Sequence, residues 1–437
     1  KKPPRASPVG GGFSKSKRFR SHDIHGRMEY PKTLYAKILG LADPWYVEEV
    51  ELNHESGELV VGVAHKGKCL CPECGKIAPR YDQRVRRWRH LDTCQYQTII
   101  EAKVPRVSCE GCGVHQLPVP WAEQNSRFTV LFEAVVIDWL RDASTEAVRK
   151  HFGLSWTAVD GVMQRAVKRG LARKEHRPLQ RIGVDETSYR KGHQYLTVVT
   201  DLDSSTIEFV GEGRSEETLD GYYGSLPKEN LESIQAVGMD MWKPFMNATR
   251  KHVPDADSKI CFDKFHVAQH LGDAIDKVRR QEQKGLFKEG KDILKNSRFL
   301  WLQNPENMDE ARWQRFSGLR NANLKTARAW AIRQEVMGLW NYRVRGWARK
   351  AWMRWYGWAI RSRLEPVKKV ARMIKTHLEG ILNAIVHRVT NAGAESMNAR
   401  IQKLKRRACG FRNTERMKNA IYFHFGGLDM SPATHTI

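Results

Sequence analysis

Five short runs between residues 182 and 265 decide the fold of the second half of this chain, because β-branched and aromatic residues dominate each of them. They read IGVDETSYR (182–190), QYLTVVTDLD (194–203), TIEFVGEG (206–213), IQAVGMDM (234–241) and SKICFDKF (258–265). The first three follow one another closely, which predicts antiparallel strands. Helical patterns near 215–225 and 243–251 separate the later runs. This order predicts one mixed sheet to which parallel strands are added through helices.

Two aspartates close runs of this sheet: Asp185 ends the β-rich part of the first run and Asp240 that of the fourth. In an RNase H-like sheet the first three strands are antiparallel and the first and fourth are neighbours. The two carboxylates would then lie side by side at the edge where such sheets bind ligands. Two close carboxylates repel each other, and a divalent cation relieves that repulsion.

A third acid is needed to hold two Mg²⁺ (or Mn²⁺) ions, about 3.5–4 Å apart, for in-line phosphoryl chemistry. Glu395 is the candidate, in TNAGAESMNARIQKLKRR (390–407). Asn391 would cap a helix there, which places Glu395 within about the first turn and Asn398 on the same face.

Other residues nearby offer alternatives, since a single surface acid is usually only solvated. The competing acids are Glu186, Asp201, Asp203 and Asp263. Asp201 and Asp203 suit the turn between the second and third strands. His266, just past the fifth run, either orients a water or touches a scissile phosphate, or bonds to the backbone at a helix start.

Two Cys-x-x-Cys pairs, each followed by glycine, predict a tetrahedral structural Zn²⁺ site. The ligands are Cys71, Cys74, Cys109 and Cys112, and the glycines permit the tight turn beneath the metal. Alternating residues in the 34-residue gap favour a zinc-ribbon-like β unit. Cys69 and Cys94 are not expected to be ligands; Cys69, beside the first pair, is the likelier substitute. Unrelated free or buried thiols are the alternative.

Between the two cysteine pairs, RVRRWRH (84–90) places four arginines around a tryptophan. This strip suits phosphate contact with Trp88 as a stacking group; the alternative is a solvated strand face. The predicted phosphate contacts are Arg84, Arg86, Arg87 and Arg89.

Residues 127–175 predict three helices, of which the last two form a helix-turn-helix pattern. Gly153 would end the short second helix, and Ser155 or Thr157 would cap the third. Small helical bundles without DNA affinity show the same pattern. If the pattern does read DNA, residues 156–165 enter the major groove. Candidate contacts are Thr157, Arg165, Lys168 and Arg169.

Charge and composition narrow the class of protein. The 437 residues carry 74 Lys and Arg against 49 Asp and Glu, a net charge of +25, which favours a polyanionic partner such as double-stranded DNA over a merely soluble basic surface. The near-apolar run 130–140 contains Glu133 and Asp138 and is too short to span a bilayer. No apolar signal core occurs in the first thirty residues. Clustered cysteines fit a reducing cytoplasm, and we expect a nucleoid-associated protein without membrane contact.

The later part of the chain, 266–407, is predicted to be almost entirely helical and contains two basic segments. In 340–372 basic residues far outnumber acids, and most of its tryptophans are expected in a core with some basic groups facing phosphate. The second segment, RIQKLKRRACGFRN (400–413), lies next to the proposed site and would hold DNA. Its candidate contacts are Lys403, Lys405, Arg406 and Arg407.

Several separate motifs resemble the IS-L-three family of DDE transposases. They are GVDETSYRKGHQYLTVVTDLDSSTIEFVGEGRSEETL (183–219), MDMWKPF (239–245), CFDKFHVAQHL (261–271) and NAGAESMNARIQKLKRRACGFRN (391–413). The upstream zinc ribbon and helix-turn-helix occur in the family's order, and the resemblance covers roughly 65–437. It implies that the family's catalytic acids fall on Asp185, Asp240 and Glu395. Its zinc-type cysteines fall on the four named above.

The resemblance also implies an activity. A transposase of this kind binds the terminal inverted repeats of its element and uses Mg²⁺ to cut a strand and transfer the freed 3′-hydroxyl to target DNA. It handles two ends together, which implies a homodimer or larger assembly. Two rivals stay open: an RNase H-like nuclease that cuts a junction or specific site without strand transfer, and a zinc-containing DNA-binding regulator whose acids are structural.

The expected architecture is therefore multidomain, α/β and α+β. An all-helical insertion is needed because the gap from Asp240 to Glu395 is too long for a bare RNase H-like fold. The expected divisions are a basic mobile arm (1–27), a zinc-ribbon domain (28–120), a helix-turn-helix domain (121–177), a first catalytic part (178–269), a helical insertion (270–385) and a last catalytic part (386–437).

Overall fold

The computed structural model describes residues 24–175, 177–190, 194–389 and 392–432, with side chains from residue 30 onward. The chain divides into two compact units with their boundary between Trp139 and Leu140. This boundary falls inside the range predicted for the helix-turn-helix domain. Helix α1 (Ile24–Ile38) begins within the range assigned to the basic arm, whose residues 1–23 lie outside the described part.

The first unit is built on a five-stranded sheet in the order β1-β2-β4-β3, with β5 paired to β4. Its strands are β1 (Trp45–Asn53), β2 (Glu58–His65), β3 (Arg80–Arg89), β4 (Gln97–Cys109) and β5 (Gly113–Gln116). Only the β2–β4 pair is parallel among these strands. Trp45, Trp88 and Trp121 pack edge to face in the core of this unit. Of this sheet, the sequence indicated β structure in the gap between the two cysteine pairs, where β3 and β4 lie.

Three helices were predicted over 127–175, and three are present: α2 (Val130–Asp142), α3 (Thr145–Phe152) and α4 (Trp156–Arg173). Of the two predicted caps, Ser155 is the one present: its side chain accepts a hydrogen bond from the Ala158 amide and caps α4. Gly153 ends α3 in the left-handed conformation, with a φ of 64°. A residue with a Cβ adopts that conformation at a cost, so the glycine sets the turn between the two helices.

The second unit is organised around the sheet predicted from the five runs. Its strands are β6 (Arg181–Arg190), β7 (Gln194–Asp201), β8 (Thr206–Glu212), β9 (Ala236–Met239) and β10 (Ile260–Phe262), in the order β10-β9-β6-β7-β8. β6, β7 and β8 are antiparallel, whereas β9 and β10 run parallel to β6. The prediction that the first and fourth strands are neighbours is confirmed.

Short helices connect the later strands: α5 (Glu216–Gly224), α6 (Lys228–Ser233), α7 (Lys243–His252) and α8 (Ala256–Lys259). Apolar residues of α5 and α7 bury one face of the sheet. The opposite face is covered by α16 (Ala392–Arg407) and α17 (Thr414–Phe425), whose Met397 and Ile421 pack against Val198. The sheet is therefore buried on both faces, which is why its strands are rich in valine and isoleucine.

Helices fill the sequence between β10 and α16. They are α9 (Lys264–Lys288), α10 (Arg298–Leu302), α11 (Glu310–Asn321), α12 (Lys325–Leu339), α13 (Arg345–Arg361), α14 (Glu365–Thr376) and α15 (Leu378–His387). Trp301, Trp352 and Trp355 are buried in a cluster that continues into the core of the sheet. Most tryptophans of this stretch are buried or partly buried in the core, as predicted, although Trp347 and Trp358 are exposed. None of the helices in the described residues is both long and apolar enough to cross a membrane.

Gly380 of α15 packs tightly against the sheet. A Cβ at this position would collide with the ring of Phe262 on β10. We predict that Gly380→Ala lowers the free energy of unfolding by about 1–3 kcal/mol, because the packed ring has to move. Thermal or denaturant unfolding measures the change.

Gly318→Ala is the matched control, since a Cβ at Gly318 in α11 would meet no atom within 4 Å. This variant should be stabilised by about 0.5–1 kcal/mol through helix propensity alone. Equal effects of the two substitutions would contradict the packing described for α15.

Candidate active site and cysteine cluster

Three aspartates form a row across three adjacent parallel strands. The register pairs the residue before Asp185 with the residue before Asp240, and the latter with the residue before Asp263. Each aspartate therefore occupies the next position along its own strand direction. Because level residues of parallel strands face the same side, the register brings three carboxylates to one edge of the sheet. Asp263 is 6% exposed and also caps α9 by accepting a hydrogen bond from the Phe265 amide.

Glu395 reaches this row from the first turn of α16, the position predicted from the sequence. Its cap, predicted to be Asn391, lies outside the described residues. Burial raises the pKa of Glu395, as do the negative charges of Asp263 and Asp185 and a hydrogen bond with the Asp263 carboxyl, whereas the charge of His266 opposes the rise. Glu395 Oε1 is buried without a hydrogen-bond partner. An unpartnered buried oxygen of this kind is a ligand atom that a cation would satisfy.

Asp185 is held in place by α16 and by its own strand. Asn398 Nδ2 donates to Asp185 Oδ2 at 2.7 Å and to the Glu186 carbonyl at 2.9 Å. The Glu186 amide donates to Asp185 Oδ1 at 2.7 Å. Burial raises the pKa of Asp185, although these hydrogen bonds and the charge of His266 oppose the rise. Asn398, which the sequence placed on the same helix face as Glu395, thus connects that helix to the first strand.

His266 lies beside Asp240, with 3.7 Å between His266 Nδ1 and Asp240 Oδ1. The Met241 amide donates to the same oxygen at 2.6 Å. The Asp240 side chain is 46% exposed, whereas Asp263 is buried. The structure therefore brings together all four residues predicted for the catalytic site, namely Asp185, Asp240, Glu395 and His266.

The competing acids differ in the groups that each of them contacts. Asp201 and Asp203 serve the turn between β7 and β8, as predicted: Asp201 accepts from the Asp203 amide and pairs with Arg177. Glu186 pairs with Arg214. Asp263, however, sits in the row itself. The signal was present in the sequence, because SKICFDKF ends its β run in aspartate just as the first and fourth runs do.

The oxygen donors of this edge fit a hard divalent cation such as Mg²⁺. Burial is the main cause of the raised pKa values of Asp185 and Glu395, and a cation beside these carboxylates would favour their ionised form. No three of these acids, however, have oxygen atoms that all lie within 4.8 Å of one another. Among the residues that the structure describes, the cysteine set discussed next is the only group of three or more His, Cys, Asp or Glu whose ligand atoms all lie within 4.8 Å of one another.

Cys71, Cys74, Cys109 and Cys112 form that compact group in the first unit. The sulfurs of Cys74 and Cys109 are 3.6 Å apart. A tetrahedral zinc ion with bonds of about 2.3 Å needs sulfur separations of roughly 3.8 Å, so the cluster fits zinc closely. Gly75 and Gly113 have φ values of 71° and 85°, which confirms that each follows its cysteine pair in a turn that favours glycine.

The shifted pKa values of two of these thiols are also those expected of a site that holds a cation. Amide N–H groups of Gly111 and Cys112 donate to the sulfur of Cys109 and lower the pKa of that thiol to about 7. Hydrogen bonds with the sulfurs of Cys74 and Cys109 instead raise the pKa of Cys112. Four adjacent thiols cannot all ionise unless a positive ion balances them. Cys69 is buried outside this group and Cys94 is exposed, in agreement with the expectation that neither is a ligand.

The arginine strip on β3 differs from the expectation. Trp88 is 1% exposed and belongs to the core, so the prediction that it stacks on DNA is wrong. Arg87 pairs with Glu101 on the adjacent strand β4 and with Glu58 on β2, the next strand of the sheet. Arg89 pairs with Asp92, and Arg86 lies over the Trp88 ring. Arg84 is exposed.

On α4, the four predicted contacts have different environments. Thr157 and Lys168 are exposed, and Arg165 is half-buried. Arg169 donates from Nε and Nη2 to the Met430 carbonyl at 3.1 and 2.9 Å. Its prediction as a DNA contact is therefore corrected: the guanidinium fastens α4 to the segment after α17, a partner that helical periodicity cannot show.

The four basic residues predicted as DNA contacts near the end of α16 also differ in their environments. Lys405 Nζ donates to the Ser188 carbonyl at 2.8 Å, and Arg407 Nη2 to the Asp142 carbonyl at 2.6 Å. Both side chains thus contribute to packing within the second unit. Lys403 and Arg406 are exposed, and both lie on the helix that carries Glu395.

Three family models match successive parts of the chain. Residues 68–112 match a zinc-finger of transposase IS204/IS1001/IS1096/IS1165, and residues 117–167 match the helix-turn-helix domain of transposase family ISL3. Residues 182–421, more than half of the chain, match a model described as a transposase. The matched ranges contain the cysteine cluster, helices α3 and most of α4, and the carboxylate row, respectively.

Curated relatives agree with these matches. The chain is 30% identical over 351 residues to a transposase for insertion sequence element IS1001 of Bordetella parapertussis, covering 79% of this chain and 86% of that protein. It is 28% identical over 417 residues to a transposase for insertion sequence element IS1557 of Mycobacterium tuberculosis, covering 87% and 93%. The similarity thus extends over nearly the full length of both relatives.

We predict that wild-type protein purifies with about one zinc ion per chain and that Cys74→Ser loses most of it, since three thiolates hold zinc less tightly than four. Elemental analysis of the purified protein gives the ratio. Thermal unfolding should show a lower midpoint for the first unit.

Cys94→Ser is the control, because Cys94 is exposed and outside the cluster. It should keep both the zinc and the unfolding midpoint. Full zinc content in Cys74→Ser would show that another group completes the site, and Cys69 would be the first to test.

Proposed function

The chain belongs to the ISL3 family of insertion-sequence transposases, and from this premise we propose that its carboxylate row cuts and joins DNA. The observation that carries the proposal is the register of the parallel strands, which aligns Asp185 with Asp240, together with the position of Glu395 on α16 near Asp185 and Asp263. We assign the domain built on β6–β10 to the RNase H-like class, because three antiparallel strands followed by parallel ones define that class.

Asp185, Asp240 and Glu395 would hold two divalent cations, Mg²⁺ or Mn²⁺, at this edge. When bound, such ions supply a nucleophile at neutral pH and neutralise charge on the phosphate oxygens. Asn398 keeps one Asp185 oxygen oriented, and Asp263, which directly follows β10, orients Glu395 through a hydrogen bond. The row would then be preorganised before DNA arrives.

The reaction needs no covalent protein–DNA intermediate. Water attacks the phosphorus at the element's end, and the 3′-oxygen leaves as a free hydroxyl. That hydroxyl then attacks a phosphodiester of target DNA, and the second 3′-oxygen leaves in turn. The protein's task is to align each nucleophile with its leaving group. His266, beside the exposed Asp240, is placed to contact the water or the phosphate.

Recognition of the terminal inverted repeats falls to the first unit and the helix-turn-helix, with the cysteine cluster stabilised by structural zinc. Thr157 and Lys168 face solvent on α4, and Lys403 and Arg406 extend the basic surface along α16. The net charge of +25 suits two DNA segments bound together. Since two ends must be cut together, we propose a dimer or larger assembly as the active form.

We predict that Glu395→Gln binds DNA ends as wild type does but loses at least about 10³-fold in cleavage rate, because the amide removes a charged ligand. The substrate is a labelled duplex carrying the repeats that flank the gene, incubated with Mg²⁺ or Mn²⁺. Asp273→Asn, an exposed acid of α9, is the matched control and should cut normally.

The products separate the rival functions. Cut and joined DNA from wild type alone establishes a transposase reaction at this row. Cut DNA without joined product favours a nuclease, and tight binding without any product favours a regulator. Normal cutting by Glu395→Gln would move the third acid elsewhere.

Two neighbouring residues of α4 should separate binding from stability. Lys168→Ala is expected to weaken binding to the repeats and to reduce the dependence of log affinity on log salt by about one, since it removes one phosphate contact. Arg169→Ala should instead lower the free energy of unfolding by about 1–3 kcal/mol through its lost hydrogen bonds to Met430. Salt-titrated binding and thermal unfolding of both variants test the assignment, which an unchanged salt slope in Lys168→Ala would contradict.

A further inference from the structure

A stack of two aromatic rings around an arginine stands beside the carboxylate row. The Arg214 guanidinium carbon lies 4.3 Å from the ring centre of Tyr195 and 4.9 Å from that of Trp242. Trp242 follows Asp240 by two residues and immediately precedes α7. Its side chain is 38% exposed, although tryptophan is usually well covered in a folded protein.

The stack is fixed to the strands that carry the acids. Trp242 Nε1 donates to the Arg214 carbonyl at 3.1 Å. Arg214 Nη1 pairs with Glu186 Oε1 at 3.2 Å, and the Glu186 amide donates to Asp185. The indole is therefore held in one orientation while a large part of it faces solvent. An indole that served only to fill the core would be buried. An indole without any role on the surface would not need both the hydrogen bond to the Arg214 carbonyl and the contact with its guanidinium.

We propose that Trp242 is a stacking subsite for a nucleobase next to the phosphodiester in the carboxylate row. The proposal rests on the proposed function, because it places that phosphodiester at Asp240. Two residues span at most about 7 Å, so a base on Trp242 belongs to a nucleotide at or directly beside the phosphate. An aromatic face binds any base, and an arginine behind it adds cation–π attraction.

Such a subsite has a physical purpose. Base pairs stack continuously in duplex DNA, and acids at the edge of a sheet reach a scissile phosphate more easily when the neighbouring base has left the stack. Extruding a base costs a few kcal/mol unless a protein surface receives it. Trp242 would receive it without reading its identity, which separates this contact from recognition of the repeat sequence.

The test is a double-mutant cycle between the indole and the base. Dissociation constants are measured with Ca²⁺ for wild type and Trp242→Ala, each with an intact repeat duplex and with duplexes that carry one abasic site. The abasic site is scanned over two nucleotides on either side of the repeat's outer end, on both strands. At one position we expect each single change to weaken binding about tenfold, and the two together to weaken it no further.

Trp242→Phe and Trp358→Ala make the result specific. The phenylalanine variant keeps an aromatic face and should retain most of the coupling. Trp358 is similarly exposed, at 40%, but lies on α13, so its effect should multiply with that of every abasic site. Thermal unfolding confirms that the variants are folded.

The outcomes separate this inference from the proposed function. Effects of Trp242→Ala that multiply with those of the abasic site at every position would overturn the stacking subsite, whether or not the protein cuts DNA. Coupling at one position in a protein that cuts no DNA would support the subsite and contradict the proposed chemistry. Coupling together with cut and joined product supports both.

Discussion

The mutual repulsion of carboxylates at one edge of a buried sheet is the constraint on which the rest of this structure depends. Register alone places Asp185, Asp240 and Asp263 level on three parallel strands, and Glu395 adds a fourth negative group. Burying carboxylates is costly: burial raises the pKa values of Asp185 and Glu395, and the charges of Asp263 and Asp185 raise that of Glu395 further. The surrounding fold keeps them together in spite of it, which is the arrangement expected of a cation site rather than of a core.

The long helical stretch between β10 and α16 helps to position Glu395 at this edge of the sheet. Glu395 lies 155 residues after Asp240, yet α16 crosses the sheet with Asn398 bonded to Asp185 and Met397 packed on the strands. The core of α9–α15 continues into that of the sheet, with Trp301, Trp352 and Trp355 sealed inside. The helices between the last strand and α16 are therefore not a loose addition, because their packing helps set the position from which Glu395 enters.

Local sequence patterns correctly predicted features that depend on residues a few positions apart. They failed where residues far away in the sequence determine the environment of a side chain. The five β runs, the cap at Ser155, the turn at Gly153 and the cysteine spacing were all readable, since each rests on residues a few positions apart. Arg169 was misjudged because its partner, the Met430 carbonyl, is 261 residues away. Trp88 was misjudged because only the packed sheet shows that Trp121 covers it. Asp263 was treated only as a competing acid, although the register of its strand places it level with Asp240.

We propose that the aligned acids form one cation site that acts on DNA. Crystals of the protein bound to a duplex repeat end, grown with Mn²⁺ and measured at the manganese absorption edge, would test it most directly. We expect anomalous peaks about 3.5–4 Å apart, bounded by Asp185, Asp240 and Glu395, beside a DNA phosphate. Manganese bound elsewhere, or a DNA end that lies away from these acids, would contradict it.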